Sequence, residues 1–382
     1  MDFNYTDEQK MLRDSIVRFA RGALNDDLVA RDRNQVFSRD LWQQCARMGL
    51  QGLPAPEAHG GSGADPLTCA VALEALGYGC HDGGLVFSLA AHMLACVVPI
   101  SRHANAEQQA RYLPGLCDGT LVGAHAITEP ESGSDSFAMR LRADRVDGGW
   151  RLNGNKTFIS NGPVADVTLV FAVTDSGKGF HGGVTCFLVE RGIPGFRPGQ
   201  AFEKSGLRTS PVGELVFEDA LLPDAAVLGS VGGGAGVFTT AMDWERTLLV
   251  AAHVGTMERL LETAVAYART RRQFGQAIGK FQAVAHRIAD MKVQLEAARL
   301  LTYRAATRLG TSRSVSLDAS ITKLFVSESL VKAALDTVQL HGGNGFMVEY
   351  EVERALRDAL GATIYSGTSE MQRNIIARWL GL

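Results

Sequence analysis

The chain has 382 residues, of which 46% are hydrophobic and 21% charged, and its formal net charge is −3. That length supports two or three domains around a large core, and the slightly acidic balance argues against nucleic acid, which favours a basic face. Met1-Asp2-Phe3-Asn4 is not the basic start of a secretory leader, no uninterrupted apolar run reaches membrane-spanning length, and the six cysteines show no CxxC pair and no metal-ligand spacing with histidine. The expectation is a cytoplasmic protein with reduced, buried thiols, no metal and no membrane or nucleic-acid partner.

Residues 1–120 read as an all-α domain. Thr6 and Gln9 have the spacing of a capping box, and Leu12, Ile16, Phe19 and Ala20 then share one helical face. Further helices are predicted over Leu41–Met48, Leu67–Leu76 and Gly84–Ile100, broken at Gly60-Gly61-Ser62-Gly63 and His81-Asp82-Gly83-Gly84. Over 121–231 the pattern changes. Trp150-Arg151-Leu152-Asn153-Gly154 reads as a strand entering a turn, Val167–Val173 and Val184–Glu190 as short strands, and Glu214–Phe217 as an alternating one. Together they predict a small β-barrel or sandwich. From 232 to 382 the chain turns helical again, with long amphipathic segments over Phe238–Thr270, Phe281–Leu309 and Ser314–Leu340 and a short helix over Glu370–Leu380. That is the signature of a four-helix bundle. The fold class is therefore α+β, in the order helices, strands, helical bundle.

The stretch Ala126–Asp135, AITEPESGSD, is the strongest chemical signal. Gly133 and Pro130 permit a tight turn, and Thr128 and Ser134 supply hydroxyl donors, so backbone N–H groups can face an anionic or polar ligand. On its own such a cluster is an ordinary solvated loop. It occurs here together with KTFISNG (156–162), YARTRRQFGQAIGKFQ (267–282), QLHGGNGF (339–346) and IYSGTSEMQR (364–373). These motifs, in this order and across an α–β–α chain, resemble the acyl-CoA dehydrogenase family of flavoproteins.

The resemblance implies FAD as cofactor. Ile127, Thr128, Gly133, Ser134, Phe158 and Ser160 match positions that line the flavin from the β-domain side. Phe158 departs from the tryptophan of many members, which keeps an aromatic face and loses an indole N–H. Arg271, Gln273, Phe274 and Gln282, with Gln339, Gly342 and Gly343, match positions that reach the FAD of a neighbouring subunit. A guanidinium fork suits a pyrophosphate, and paired glycines allow close backbone approach. Thr368 and Glu370 match the loop beside the adenosine and flavin. A shared site implies a homo-oligomer, in this family usually a tetramer.

The catalytic base is the informative departure. Many members carry it in a Tyr-Glu-Gly-Thr motif, which here reads Tyr365-Ser366-Gly367-Thr368. A serine hydroxyl is too weakly basic to take a carbon acid's proton. Glu245 lies three residues after Met242 and four before Leu249, on an apolar stripe where a carboxylate is costly unless paired or used. In the isovaleryl-CoA and long-chain branches the base sits at this helix position and the loop position is non-acidic. The alternative is a structural pair between Glu245 and an arginine such as Arg246.

The implied reaction is α,β-dehydrogenation of an acyl thioester, an acyl-CoA. Glu245 takes the Cα proton, hydride passes from Cβ to flavin N5, and the backbone N–H of Ser366 helps to hold the thioester carbonyl. Ser134, Gly367, Arg246 and Trp244 are the expected substrate-side residues, with Trp244 either narrowing the pocket or filling a helix–helix contact. An electron-transferring flavoprotein or oxygen would accept the electrons. A nearby alternative keeps the chemistry and tethers an acyl or aminoacyl group, such as prolyl, to a carrier protein. More distant ones are a flavin monooxygenase and a non-enzymatic flavoprotein. Glu349, Glu351 and Glu353 read as a solvated acidic surface, and His92, His103, His253, His286 and His341 as satisfied or exposed side chains.

Overall fold

In the computed structural model, residues 5–309, 311 and 315–382 are described. The Thr6 hydroxyl accepts from Gln9 N at 3.2 Å and Gln9 Oε1 accepts from Thr6 N at 3.1 Å, which completes the capping box and starts α1 (Asp7–Ala23). Ile16 and Ala20 are fully buried on its inner face, with Leu12 and Phe19 packed at the edge of the same core. There follow α2 (Leu28–Asn34), α3 (Arg39–Arg47), α4 (Pro66–Gly79) and α5 (Gly83–His92). A π-helical segment, Met93–Val97, joins α5 to α6 (Val98–His103), and α7 (Ala106–Cys117) ends the domain. The composite helix Gly83–His103 is long and apolar enough to cross a membrane by length and composition, although Ser88 and His92 interrupt its apolar run. Its surface is spent within the protein, because 89% of its most apolar window is buried.

The middle domain is an eight-stranded sheet: β1 (Gly123–Ala126), β2 (Arg142–Val146), β3 (Gly149–Ser160), β4 (Val167–Val173), β5 (Val184–Glu190), β6 (Phe196–Ala201), β7 (Val212–Pro223) and β8 (Val227–Leu228). One turn of helix, α8 (Phe180–Gly183), lies between β4 and β5. The path runs β6-β7-β3-β2-β4-β5-β8, with β1 parallel to β4. Leu152, Leu215 and Phe217 from one half of the sheet share a core with Val170, Phe187 and Val189 from the other, so the sheet folds over on itself. The opposite face of β4 and β5 packs on α7 and the π segment, which is why both strands are continuous apolar runs. The turn expected at Gly154 is not there. Gly154, at φ +138, sits at a shift in the β3–β7 register and the strand runs on to Ser160.

The C-terminal domain is built on α9 (Gly234–Thr270), α10 (Gln282–Leu309) and α11 (Ser316–His341), with α12 (Val352–Ala362) and α13 (Ser369–Trp379) against α11. Its helical bundle has three long members and two short ones. The hairpin β9 (Arg272–Gln273) and β10 (Gln276–Ala277) links α9 to α10. Ser314, the first residue of one predicted helix, lies outside the described residues.

Two glycines join the helical domains. A Cβ on Gly77 of α4 would collide with Ala252 O of α9, and one on Gly255 of α9 would collide with Glu74 O of α4. The helix backbones therefore meet directly at the crossing. Beside it, buried Glu74 accepts from Arg299 Nε at 2.9 Å and from Tyr303 Oη at 2.6 Å, so α10 supplies the charge and hydroxyl that make this acid tolerable in the core.

Candidate active site

Glu245 lies well inside α9, which begins at Gly234, and not in the helix's opening turn. It is 8% exposed. Its Oε1 accepts a hydrogen bond from Ser366 Oγ at 2.7 Å. The Ser366 hydroxyl and the charges of Arg246 and Lys323 favour the carboxylate, but desolvation is larger and raises its pKa above the ordinary glutamate value. Arg246, the expected pairing partner, instead donates Nε to Ser366 O at 2.9 Å. The acid and the serine that replaces a loop acid thus meet in one hydrogen bond.

The loop is held from below. Ser366 (φ +55) and Gly367 (φ +90) are both left-handed, a conformation that costs a serine on the order of 1 kcal/mol. Their carbonyls are the anchors. Lys323 Nζ donates to Gly367 O at 2.8 Å, and Gln372 Nε2 donates to Gly367 O at 2.8 Å and Ser366 O at 3.2 Å. A Cβ on Gly367 would lie 2.8 Å from Gln372 Nε2, so a side chain there would displace that anchor. With the carbonyls tied down, the Ser366 N–H finds no acceptor among the described residues. Lys323 is buried on α11, and desolvation lowers it to about 8. Tyr365 Oη and His253 Nε2 are 2.6 Å apart. Burial holds the tyrosine protonated and lowers His253 to about 3, so the phenol donates to a neutral imidazole.

The AITEPESGSD turn is fixed by a buried ion pair. Lys156 Nζ, with its side chain fully buried, donates to Ile127 O and to Glu129 Oε1, each at 2.8 Å. Glu129 also accepts from Arg140 N at 2.6 Å and Leu141 N at 2.9 Å, and Thr157 N donates to Thr128 O at 2.9 Å. The two β-domain motifs are therefore one structure. Above it, Gly133 has open space around its Cα, and the N–H groups of Gly133 and Ser134 have no acceptor among the described residues. Phe158 stands at φ +55, 66% exposed, beside Phe202 at 5.2 Å between ring centroids. An exposed ring next to free backbone donors fits an aromatic, polar cofactor such as FAD. Ile127 differs from the expectation. Its side chain is in the core, so only its backbone is available to a ligand. Ser160 is half-buried at the end of β3.

The second set of residues expected to reach the cofactor sits on the hairpin, the start of α10 and the end of α11. Arg271, Gln273 and Gln282 are exposed, and Phe274 is 94% exposed. Gln339 is exposed, Gly342 has φ +58, and neither Gly342 nor Gly343 has a neighbour within 4 Å of a built Cβ. Tyr267 ties this region together by stacking on His341 at 4.0 Å and accepting from Asn344 Nδ2 at 2.9 Å. Thr368 caps α13 by accepting from Met371 N at 3.3 Å, with exposed Glu370 in that helix's first turn.

Trp244 is buried under Arg102, whose guanidinium carbon lies 4.9 Å from its ring centroid, and it belongs to the N-terminal core. That is the helix–helix contact of the two expected roles. Glu351 and Glu353 are not a simply solvated surface, since they bind Arg354 at 2.5 Å and Arg357 at 2.6 Å. The Ser366–Glu245 bond, the Lys323 and Gln372 anchors and the Glu129–Lys156 pair were not foreseen. A lone lysine inside the apolar stretch of α11 was the one available signal.

Helical, sheet and bundle domains with a cofactor cradle and a buried glutamate define a flavin-dependent dehydrogenase. The chain belongs to the acyl-CoA dehydrogenase family, matching its N-terminal domain over residues 6–120, its middle domain over 124–220 and its C-terminal domain over 232–381. It is 43% identical to an L-prolyl-[peptidyl-carrier protein] dehydrogenase of Pseudomonas fluorescens, with all of both chains covered. Against the mitochondrial isovaleryl-CoA dehydrogenase of Oryza sativa it is 38% identical, covering 98% of this chain and 92% of that one. The solved structure "PigA with FAD and proline" superposes with a TM-score of 0.97 at 41% identity over the full length of both chains. The enzyme is an FAD-dependent dehydrogenase acting on thioesters. Among its relatives, carrier-tethered prolyl oxidation is favoured over the free CoA ester that was the first expectation.

Proposed function

We propose that this enzyme desaturates an aminoacyl thioester, prolyl in the first instance, tethered to a carrier protein. The observation that carries the chemistry is the 2.7 Å bond between Ser366 Oγ and Glu245 Oε1, next to an unengaged Ser366 N–H. Glu245 takes the proton from Cα. The Ser366 N–H, aimed by the anchors on the carbonyls of Ser366 and Gly367, donates to the thioester oxygen as negative charge grows there. FAD, when bound, supplies the acceptor for the hydride leaving Cβ. Desolvation keeps the Glu245 carboxylate reactive by raising its pKa towards the working range. Ile127 (through its backbone), Thr128, Gly133, Ser134, Phe158 and Ser160 would hold the cofactor from the β domain, with Thr368 and Glu370 beside it.

Arg271, Gln273, Phe274, Gln282, Gln339, Gly342 and Gly343 would complete the cradle of a second subunit, making the enzyme a homo-oligomer, as a tetramer. An almost fully exposed Phe274 supports this, because a solvated phenylalanine is costly. An electron-transferring flavoprotein or oxygen would reoxidise the enzyme. Prolyl specificity is supported by the relatives. Arg246, one of the expected substrate-side residues, donates its Nε to the loop carbonyl. The test is anaerobic flavin bleaching by prolyl-carrier protein and by isovaleryl-CoA. Bleaching by the carrier substrate alone is expected, and its loss in Glu245→Gln with FAD retained. Bleaching by isovaleryl-CoA alone would refute the tether, and a bleaching-competent Glu245→Gln would refute the base.

A further inference from the structure

The acyl group and its tether leave Glu245 in opposite directions along α9. The acyl end of the site is walled by Phe87 of α5, Leu330 of α11 and Leu249, Ala252 and Thr256 of α9, and these three α9 residues all follow Glu245 in the chain. The sulfur of a thioester held at Ser366 must therefore run back towards the start of the helix. On that side Met242 and Phe238 precede Glu245 by one and two turns on the same face. Met242 and Phe238 pack on Ala95 of the π-helical segment. Across from them stands His125 of β1, stacked on the Phe238 ring at 6.4 Å between centroids and tilted against Phe171 of β4 at 4.9 Å. His125 and Phe238 are both only half-buried, so a crevice reaches them between β1 and α9.

Among the described residues, His125 Nε2 is buried without a hydrogen-bond partner. The phenylalanine rings beside it offer nothing polar. Desolvation, reinforced by the positive charge of Lys156, lowers its pKa to about 4, so the imidazole is neutral and carries one donor and one acceptor. A buried ring nitrogen left unpaired is costly, and the mechanism gives this one no task.

The arm common to carrier proteins and coenzyme A is pantetheine, which has two amides. From the thioester Cα to the nitrogen of the outer amide is about nine bonds, or ~10 Å extended at roughly 3.5 Å per three bonds. The seven residues from Phe238 to Glu245 also span about 10 Å of helix. The outer amide thus falls level with Phe238, where His125 stands. An amide offers one N–H and one C=O, the complement of a neutral imidazole. Further out, Phe137 is 51% exposed, edge-on to Phe238 at 6.5 Å and stacked on Phe180 at 4.0 Å, and it marks where the crevice opens.

We infer that His125 binds the outer amide of the pantetheine arm and thereby registers the thioester against Glu245. The inference rests on the thioester reading and is indifferent to the acyl group. His125 touches the arm and not the reacting atoms, so it is a positioning residue.

The test is single-turnover flavin reduction by three prolyl thioesters: on N-acetylcysteamine, which has only the inner amide, on pantetheine, which has both, and on the carrier protein. His125→Phe keeps an aromatic ring and removes the nitrogens. It should raise the half-saturating concentration of the pantetheine and carrier esters about tenfold, the weight of one hydrogen bond to a buried group, with the maximal rate unchanged. The N-acetylcysteamine ester should be unaffected, which also shows that the variant is folded and holds FAD. His125→Gln, which keeps a donor and an acceptor, should recover most of the loss. An equal change on all three esters would overturn the assignment, since it would mean that the ring only packs, and so would no change on any of them. Prolyl-CoA set against the prolyl-carrier ester in the wild type tells the two bearers of the arm apart. If isovaleryl is the acyl group, the same comparison on its esters tests the arm contact separately from the prolyl reading.

Discussion

Replacing Ser366 by glycine isolates what the loop serine does. The φ of +55 at this position favours glycine, so Ser366→Gly should fold, keep the backbone N–H at 366 and keep the Lys323 and Gln372 anchors. It removes only the hydroxyl that donates to Glu245 at 2.7 Å. A hydrogen bond to a charged group contributes about 1.5–3 kcal/mol, and at about 1.4 kcal/mol per unit its loss raises the Glu245 pKa by roughly one to two units. As the proposed base the glutamate must be ionised, and its pKa already lies above the ordinary value. Turnover should therefore rise with pH through that raised pKa in the wild type, and through a still higher one in the variant. At a pH below both, kcat should be lower in the variant by about 10- to 100-fold, and the two curves should converge at high pH. The assay is single-turnover flavin reduction against pH, with prolyl-carrier protein as substrate. A loss of the same size at every pH, or superimposable curves, would show that the hydroxyl does not tune the acid.

Four further outcomes follow from the same contacts. Lys156→Met leaves Glu129 buried without its cation and should cost about 3–5 kcal/mol in denaturant unfolding, with weaker FAD retention on gel filtration. Gly255→Ala drives a methyl into Glu74 O and should lower stability by about 1–3 kcal/mol, readable as a lower unfolding temperature. Lys323→Met removes one of the two donors to the Gly367 carbonyl and should lower kcat more than it changes KM, because the loop's aim matters most when charge develops on the substrate oxygen. The stability of the folded enzyme should also decline as pH rises from the unfolded glutamate value through the raised Glu245 value. Over that window the native state binds the extra proton, and ionising the buried acid without substrate is unfavourable. Glu245→Gln should flatten that part of the profile in thermal unfolding across pH.

The domain order and most helices were legible because they rest on local signals. The Thr6 box, the Gly60–Gly63 break and the apolar runs of β4 and β5 are all written within a few residues. The candidacy of Glu245 as the base was also legible, since Ser366 and Glu245 are informative as a pair of departures. What joins them was not. A bond spanning 121 positions leaves no trace in spacing, and neither does the coupling of Glu129 to Lys156 across 27. Gly154 misled because glycine marks a turn and a register shift alike. Trp244 stayed open between two roles in the sequence, and adjacency to Glu245 along a helix, which places the two side chains on different faces, could not decide between them.

The meeting of α4 and α9 at Gly77 and Gly255 has a consequence for how such an enzyme changes its diet. Backbones in direct contact leave the long helix no room to slide or roll, so an acid ten residues upstream inherits its coordinates from a helix that gives no atom to the reaction. New substrates are then accommodated by recutting walls such as Phe87 and Leu249, while the proton acceptor stays where the crossing put it.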